Sequence, residues 1–150
     1  MRNEEVSIDI RPDVRVSGHL TVPQRACGMV VFVHGSGSSR HSPRNQQVAS
    51  ILNEAGIATL LFDLLTEEEA DSRENVFDIE LLSDRLVHVT NWLRKQMELE
   101  KLAVGYFGAS TGAAAALWVA AESDMDIAAV VSRGGRPDLA KSRLARVRAP

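Results

Sequence analysis

The sequence predicts an α/β protein, with a doubly wound, mostly parallel sheet and an antiparallel hairpin at its N-terminus. Three observations predict it. Residues 6–22 alternate apolar and polar side chains, residues 29–33 are continuously apolar and residues 57–62 are apolar except for Thr59, and helical patterns separate the later strands. Alternation is typical of an antiparallel pair with one solvated face, and continuous apolar runs are typical of strands buried on both faces.

The first strand–helix unit follows the hairpin, whose strands (residues 6–10 and 14–22) are separated by Pro12 and Asp13. The buried strand MVVFVHG leads into the loop GSGSSRHSPRN, which is rich in turn-forming residues. A helix follows, with Gly56 at the position of a C-terminal cap. Its apolar residues Val48, Ile51, Leu52 and Ala55 keep to one face.

The strand–helix unit then repeats three times. Residues 57–65 form a second buried strand, and the acidic connection TEEEADSREN is expected to be a solvated loop. Apolar residues from Ile79 to Leu93 fall three and four apart, which predicts an amphipathic helix. KLAVGYFGAS is a third strand, TGAAAALWVAAES a buried helix and DIAAVVSRGG a fourth strand, and residues 138–147 are expected to start another helix. Such alternation implies right-handed crossovers.

Composition excludes several classes of partner. Lys and Arg number 17 against 20 acidic residues, a net charge of −3 that gives no basis for binding nucleic acid or an anionic membrane. The longest nearly continuous apolar stretch is about half of the ~20 residues that a membrane span needs. The charged N-terminus has no apolar signal core, and the single Cys27 excludes an internal disulfide. We therefore expect one cytoplasmic domain over residues 1–150, without cofactor or metal.

The main catalytic candidate is Ser110, in the sequence Gly108-Ala109-Ser110-Thr111-Gly112. This G-x-S-x-G pattern lies between a predicted strand and an apolar helix, which is the setting of a strained nucleophile elbow. Glycine is needed on both sides because a Cβ there would collide with the neighbouring strand or helix. The alternative is that Ser110 only caps the helix.

A second motif, His34-Gly35-Ser36-Gly37, follows the first buried strand directly. It therefore emerges at the carboxyl edge of the sheet, where the sites of parallel α/β proteins form. A simple glycine turn or a phosphate-binding nest is the alternative. Neither nucleotide-binding glycine pattern fits, because Arg40 occupies the position of the third glycine.

These motifs carry a family resemblance. The segments VVFVHGSGSSRHSPRN, LLFDLLT, GYFGASTGAAAAL and VVSRGGRPDLA resemble the successive strand ends of dienelactone hydrolase-like α/β-hydrolases over about residues 20–150. The resemblance implies a hydrolase in which the backbone N–H groups of Ser36 and Thr111 form the oxyanion hole. Dienelactone hydrolases proper carry a nucleophilic cysteine, so Ser110 favours ordinary small esters or lactones.

The family places its acid after the next strand and its histidine after the last one. The resemblance thus implies a sheet truncated before its last two strands, with the acid and base beyond Pro150. Among the histidines present, His19 and His88 are expected to be structural and His34 to brace its loop. His41 lies in a polar loop at the correct edge, so it is the only stand-in base and a candidate substrate contact.

Other charged residues are predicted at the same edge of the sheet. Asp63 ends the second buried strand and would orient a base, cap a helix or form an ion pair. Arg133, after the fourth strand, is a candidate to hold a substrate carboxylate bidentately, as is Arg136. Pairing of either arginine with Asp138 or Asp63 is the alternative.

Two hypotheses for function follow from these residues. The first is a serine hydrolase that forms an acyl-enzyme on Ser110 and is inactive or weakly active as this chain alone. The second is a non-catalytic α/β-hydrolase-like module that binds a partner or a small carboxylic acid. Because the fourth strand, residues 127–131, would lie at an exposed apolar edge, self-association or pairing with a complementing chain is also expected.

Overall fold

The computed structural model describes residues 1–150 and is built on a six-stranded mixed sheet. The strand order across the sheet is β1-β2-β4-β3-β5-β6. Strands β1 and β2 pair antiparallel, as do β2 and β4, whereas β3, β4, β5 and β6 run parallel. The predicted α/β class and the N-terminal hairpin are confirmed. The strands are β1 (Arg2–Arg11), β2 (Val14–Val22), β3 (Gly28–Val33), β4 (Ile57–Phe62), β5 (Val104–Ala109) and β6 (Ile127–Arg133).

Helices cover the sheet and connect its parallel strands. The first, α1, begins at the N-cap Ser42, whose side chain accepts a hydrogen bond from the Asn45 N–H, and Pro43 occupies the first turn. Helix α5 (Thr111–Ala120) is buried on nearly all sides, as its alanine-rich sequence predicts. The long helices are α1 (Pro43–Glu54), α4 (Ile79–Arg94) and α5 (Thr111–Ala120).

The acidic connection after β4 is partly helical, so the prediction of a loop is wrong, although Glu67, Glu68 and Asp71 are exposed to solvent as expected. It contains two short helices, α2 (Glu67–Ala70) and α3 (Arg73–Val76). Thr66 and Glu69 form a complete capping box, in which each side chain accepts the other residue's backbone N–H. The signal was present in the sequence as a Thr followed three residues later by a Glu.

The prediction of an α-helix at residues 138–147 is also wrong. A 3₁₀ segment, η2 (Pro137–Arg146), replaces it, and Lys141 interrupts it with φ 54° and ψ −135°. A shorter 3₁₀ turn, η1 (Ser123–Met125), precedes β6. Short 3₁₀ pieces with poorer hydrogen-bond geometry are common as connectors.

The main core lies between the sheet and the helices α4 and α5. It joins Ile8, Leu20 and Leu60 of the sheet to Leu86 of α4 and Ala115 of α5. A smaller cluster under α1 is made by Phe32, Ala49 and Leu61. Because β3, β4, β5 and β6 run parallel, they all end at one edge of the sheet, called here the carboxyl edge. None of the helices is both long and apolar enough to cross a bilayer.

Candidate active site

Ser110 stands on a strained turn between β5 and α5. Its backbone has φ 53° and ψ −126°, a region that side chains other than glycine rarely adopt. It occupies the N-cap position of α5, yet its side chain makes no capping hydrogen bond. The hydroxyl is half-buried at the carboxyl edge, so the interpretation of Ser110 as a simple helix cap does not fit the geometry.

Both glycines of the motif are required by close packing. A Cβ on Gly108 would lie 2.6 Å from the Ala113 Cα, and a Cβ on Gly112 would lie 2.1 Å from the Val33 carbonyl oxygen. Gly112 thus brings the start of α5 directly against the end of β3. The expected collision of a Cβ at either flank is confirmed.

The loop that joins β3 to α1, called here the β3–α1 loop (residues 34–42), packs against the serine. A Cβ on Gly35 would lie 2.7 Å from the Ser110 Cβ, so the two residues touch. Ser36 follows in a turn closed by a 3.2 Å bond from the Ser38 N–H to the Gly35 carbonyl. Thr111 is the first residue of α5, where the N–H has no partner one turn earlier in the helix.

The segment after β6 completes the surroundings of Ser110. The Ser110 carbonyl oxygen accepts hydrogen bonds from the N–H of Ala113 (3.1 Å) and of Arg136 (3.2 Å). Gly135 lies over the start of α5, because a Cβ there would be 2.6 Å from the Ala113 Cβ. Loops that follow three neighbouring strands therefore converge on the turn that carries the serine.

None of the four histidines is hydrogen-bonded to Ser110. The His34 Nδ1 lies 2.8 Å from the Gly35 carbonyl oxygen, and its Nε2 accepts the Leu64 N–H at 3.1 Å. These partners define a neutral ring, and burial lowers its pKa below the ordinary 6.5. His34 therefore braces its loop. His19 bonds Glu5 in the hairpin, and His88 lies on the outer face of α4 near Asp84.

His41 is exposed, and only its backbone N–H is bonded, to the Ser39 Oγ at 3.1 Å. Arg133 lies at the end of β6, where it donates to the Asn45 Oδ1 at 3.2 Å and stacks 5.8 Å from the Phe107 ring centre. It pairs with neither Asp138 nor Asp63. Arg136 does pair with Asp138, through two bonds of 3.0 and 2.9 Å.

Asp63 forms the ion pair that was one of its three predicted roles. Its two oxygens accept the Arg40 backbone N–H at 2.8 Å and the Arg40 Nη1 at 2.5 Å. The Nε of Arg40 also reaches Glu5 in the hairpin, at 3.3 Å. Sequence reasoning did not find Arg40 as the partner, because a separation of 23 residues carries no local signal.

A cavity of about 330 Å³ opens at the carboxyl edge between the β3–α1 loop and the segment after β4. Its polar lining includes Ser36, Arg40, His41, Asp63 and Thr111. Its apolar lining, called here the apolar wall, is formed by Leu64, Leu65, Ala70, Val76 and Leu82. A larger groove of about 730 Å³ lies between α1 and the polar face of the hairpin, away from Ser110. We place the candidate site in the smaller cavity because it adjoins the start of α5.

A buried ion pair, which sequence reasoning missed, supports the apolar wall. The Arg85 side chain is 1% exposed and contacts both Glu69 oxygens, at 2.8 and 2.5 Å. Its Nη1 also donates to the Leu64 carbonyl at 3.3 Å. The hydrogen bonds from Arg85 lower the pKa of Glu69 to about 2. An arginine in the middle of an amphipathic pattern gives no sign in sequence that it is buried.

The strand order, the elbow at Ser110 and the loops around it define an α/β-hydrolase. A dienelactone hydrolase from Anabaena variabilis ATCC 29413 superposes with a TM-score of 0.92 and 53% identity, over 99% of this chain and 70% of that one. The chain belongs to the dienelactone hydrolase family. An α/β serine hydrolase homologue from Coxiella burnetii shares the fold, with a TM-score of 0.77 and 19% identity over 100% of this chain and 72% of that one.

Comparison by sequence adds two relatives of a different name. Proteins from two strains of Mycobacterium tuberculosis are 61% identical over all 150 residues, and both are provisionally named phosphoribosyl transferases. The chain spans 34% of the length of each. No family model matches the chain.

Proposed function

We propose that the chain carries the nucleophile half of a serine hydrolase that cleaves small carboxylic esters or lactones. In this reaction the Ser110 hydroxyl loses its proton to a base and attacks the carbonyl carbon. The carbonyl–alkoxy bond breaks, the base returns the proton to the leaving alcohol, and water then releases the acid from the acyl-enzyme. No cofactor is required for either step.

The observation that carries the proposal is the backbone of Ser110. A non-glycine residue with φ 53° and ψ −126°, closed in by Gly108 and Gly112, is costly to the fold by about 1–3 kcal/mol. In this conformation the Ser110 side chain does not cap helix α5, so its hydroxyl is available to a substrate. Thr111 follows Ser110 directly, and Ser36 follows Gly35, which touches Ser110. We assign the N–H groups of Ser36 and Thr111 the role of stabilising the oxyanion.

The general base is proposed to lie beyond Pro150. His34 has both nitrogens bonded to the loop and to Leu64, and His19 and His88 lie elsewhere in the fold. Finding an apolar strand, then an aspartate, then a Gly-x-x-His segment downstream of Pro150 would support this assignment.

Two further residues are proposed to contact substrate. Arg133 keeps donors beyond the one bonded to Asn45, so it is suited to a carboxylate on an acidic ester or lactone. His41 borders the cavity with its ring unbonded, and we assign it a polar contact to the substrate.

The experiment is hydrolysis of p-nitrophenyl acetate and labelling by a fluorophosphonate, in the longest chain that carries these residues. We expect label on Ser110 and turnover at enzymatic rates, both lost in Ser110→Ala and retained in Ser123→Ala, an exposed serine away from the site. The 150-residue chain alone is expected to show only the residual rate, on the order of 10³–10⁴ over water. Absence of both label and turnover in the longer chain supports the non-catalytic binding module instead.

The transferase name of the mycobacterial relatives is not proposed for these residues. The chain matches a third of those proteins, and in it the glycine-rich loop packs on a serine elbow instead of forming a phosphate loop. We propose that the transferase name describes chemistry carried by the other two-thirds of the mycobacterial proteins. Absence of phosphoribosyl transfer by a fragment limited to the matched residues is the expected result.

A further inference from the structure

The β3–α1 loop requires an external support to hold the Ser36 N–H in place. Residues 35–39 are two glycines and three serines, and Gly37 has φ 73°. Chain of this composition has high conformational entropy, about 1–2 kcal/mol per residue to fix. Two backbone turns, from the Ser38 N–H to the Gly35 carbonyl and from the Ser42 N–H to the Ser39 carbonyl, fix short parts of the loop but do not attach it to the sheet.

Two consecutive residues after β4 hold both ends of this loop. At its start, the Leu64 N–H donates to the His34 Nε2 at 3.1 Å. At its end, the Asp63 carboxylate accepts the Arg40 backbone N–H and the Arg40 Nη1, at 2.8 and 2.5 Å. The residues between these two points include Ser36 and lie at the edge of the sheet, where Gly35 touches Ser110.

The support is itself rigid. The Asp63 N–H donates to the Ser17 carbonyl of β2 at 2.9 Å, and the Leu64 carbonyl accepts from buried Arg85. Arg40 is held from its other side by Glu5. Both side chains of the Arg40–Asp63 pair are mostly buried, at 21% and 22% exposure, so solvent screens the pair less than a surface ion pair.

We propose that Asp63 is a positioning residue of the hydrolase, acting through Arg40 to place the Ser36 N–H for the oxyanion. The inference rests on the proposed function. Asp63 binds the loop twice, through the backbone and through the side chain of Arg40. Loss of the carboxylate therefore releases the loop more than loss of the Arg40 side chain, which leaves the backbone bond in place.

This difference gives an ordered set of variants. In Asp63→Ala both bonds are lost, in Asp63→Asn the side-chain oxygen still accepts the backbone N–H, and in Arg40→Ala only the guanidinium is lost. We expect kcat for p-nitrophenyl acetate to fall on the order of 10- to 100-fold in Asp63→Ala and less in the other two, with KM changed less than about threefold. Asp84→Asn, an exposed carboxylate on α4, is the matched control and should be unchanged.

A second measurement does not depend on activity. Amide hydrogen exchange of peptides covering residues 34–42 should be fastest in Asp63→Ala, slower in Asp63→Asn and Arg40→Ala, and slowest in the original chain and Asp84→Asn. Equal exchange in all variants overturns the inference, as does equal loss of kcat in Asp63→Ala and Arg40→Ala. If the longest chain has no esterase activity, the proposed function fails, and the exchange order still decides whether Asp63 holds the loop.

Discussion

At the scale of single residues, the site depends on backbone positions that only particular side chains tolerate. Ser110 keeps its strained conformation because its carbonyl is bonded by Ala113 and Arg136 and its Cβ lies against Gly35. The surroundings that over-determine this conformation are the same loops that form the site. The strained backbone at Ser110 is therefore expected to reduce the free energy of unfolding.

Replacement of Ser110 by glycine is expected to stabilise the fold while removing the proposed nucleophile. Glycine adopts φ 53° and ψ −126° without steric cost, so relief of strain exceeds the added entropy of the unfolded chain. We expect a gain of about 1 kcal/mol, or roughly 2–4 °C in Tm. Ser110→Ala is the control, since alanine keeps the strain and should show no gain in thermal unfolding. Equal melting temperatures for the two variants would contradict a strained elbow.

Gly112 is expected to accept no side chain. In Gly112→Ala the new Cβ would lie 2.1 Å from the Val33 oxygen and 2.4 Å from the His34 oxygen, so β3 and α5 must separate. We expect a loss of about 3 kcal/mol or more in urea unfolding. Gly28→Ala is the matched control, because its nearest atom, the Ala103 oxygen, is 3.8 Å away. Similar stability of the two variants would show that the contact relaxes without cost.

At the scale of elements, the segment between β4 and α4 depends on one charged pair. Helices α2 and α3 have four residues each and no buried residue of their own, so they are not stable by local propensity. The capping box and the bond from Arg85 to Glu69 hold α2 against the cavity. The apolar wall of the site therefore depends on the ionised form of Glu69.

This dependence predicts a change of stability with pH. The pKa of Glu69 is about 2 in the fold, below its ordinary 4.5, so its contribution is complete above about pH 4.5 and is lost as pH falls toward 2. We expect the difference in unfolding free energy between the original chain and Glu69→Gln to shrink over that range. Urea unfolding of both chains at several pH values measures this difference. The other carboxylates are the same in both chains, so their titration cancels in the comparison. A difference independent of pH would contradict an ionised, paired Glu69.

The sequence predicts the elements that have a periodic apolar pattern. It does not predict features that depend on contacts between residues far apart in the chain. Strands β3 and β4 and helix α4 follow from apolar spacing, and the elbow follows from its two glycines. The ion-pair partners of Asp63 and Glu69 do not follow from the sequence, because Arg40 and Arg85 are 23 and 16 residues away. The helical turn of α2 was predictable from Thr66 and Glu69, but the run of acidic residues favoured a solvated loop.

At the scale of the whole molecule, the sheet has one edge that is poorly covered. Strand β6 is the last in the order, and Val131 is 51% exposed. One hydrogen bond, from the Val130 N–H to the Pro150 carbonyl, reaches this edge from the C-terminal residues. Unpaired backbone groups beside apolar side chains are suited to pairing with another chain.

We expect the 150-residue chain to self-associate at micromolar concentration through β6. In Val131→Lys a charge at the edge should return the chain to a monomer in sedimentation velocity, because edge lysines oppose strand addition. Ile51→Lys is the matched control, since Ile51 is 59% exposed but lies on α1, and it should not change association. A monomeric original chain would remove the basis for this expectation.

The position of Cys27 offers a practical route to oriented attachment. The only cysteine of these residues is exposed, one position before β3, at the end of the sheet opposite to Ser110. Six residues of strand separate it from the carboxyl edge, a distance of about 20 Å. A maleimide-coated chip or electrode would therefore bind each molecule at the end of the sheet that carries Cys27, and would leave the candidate site turned toward the flowing solution.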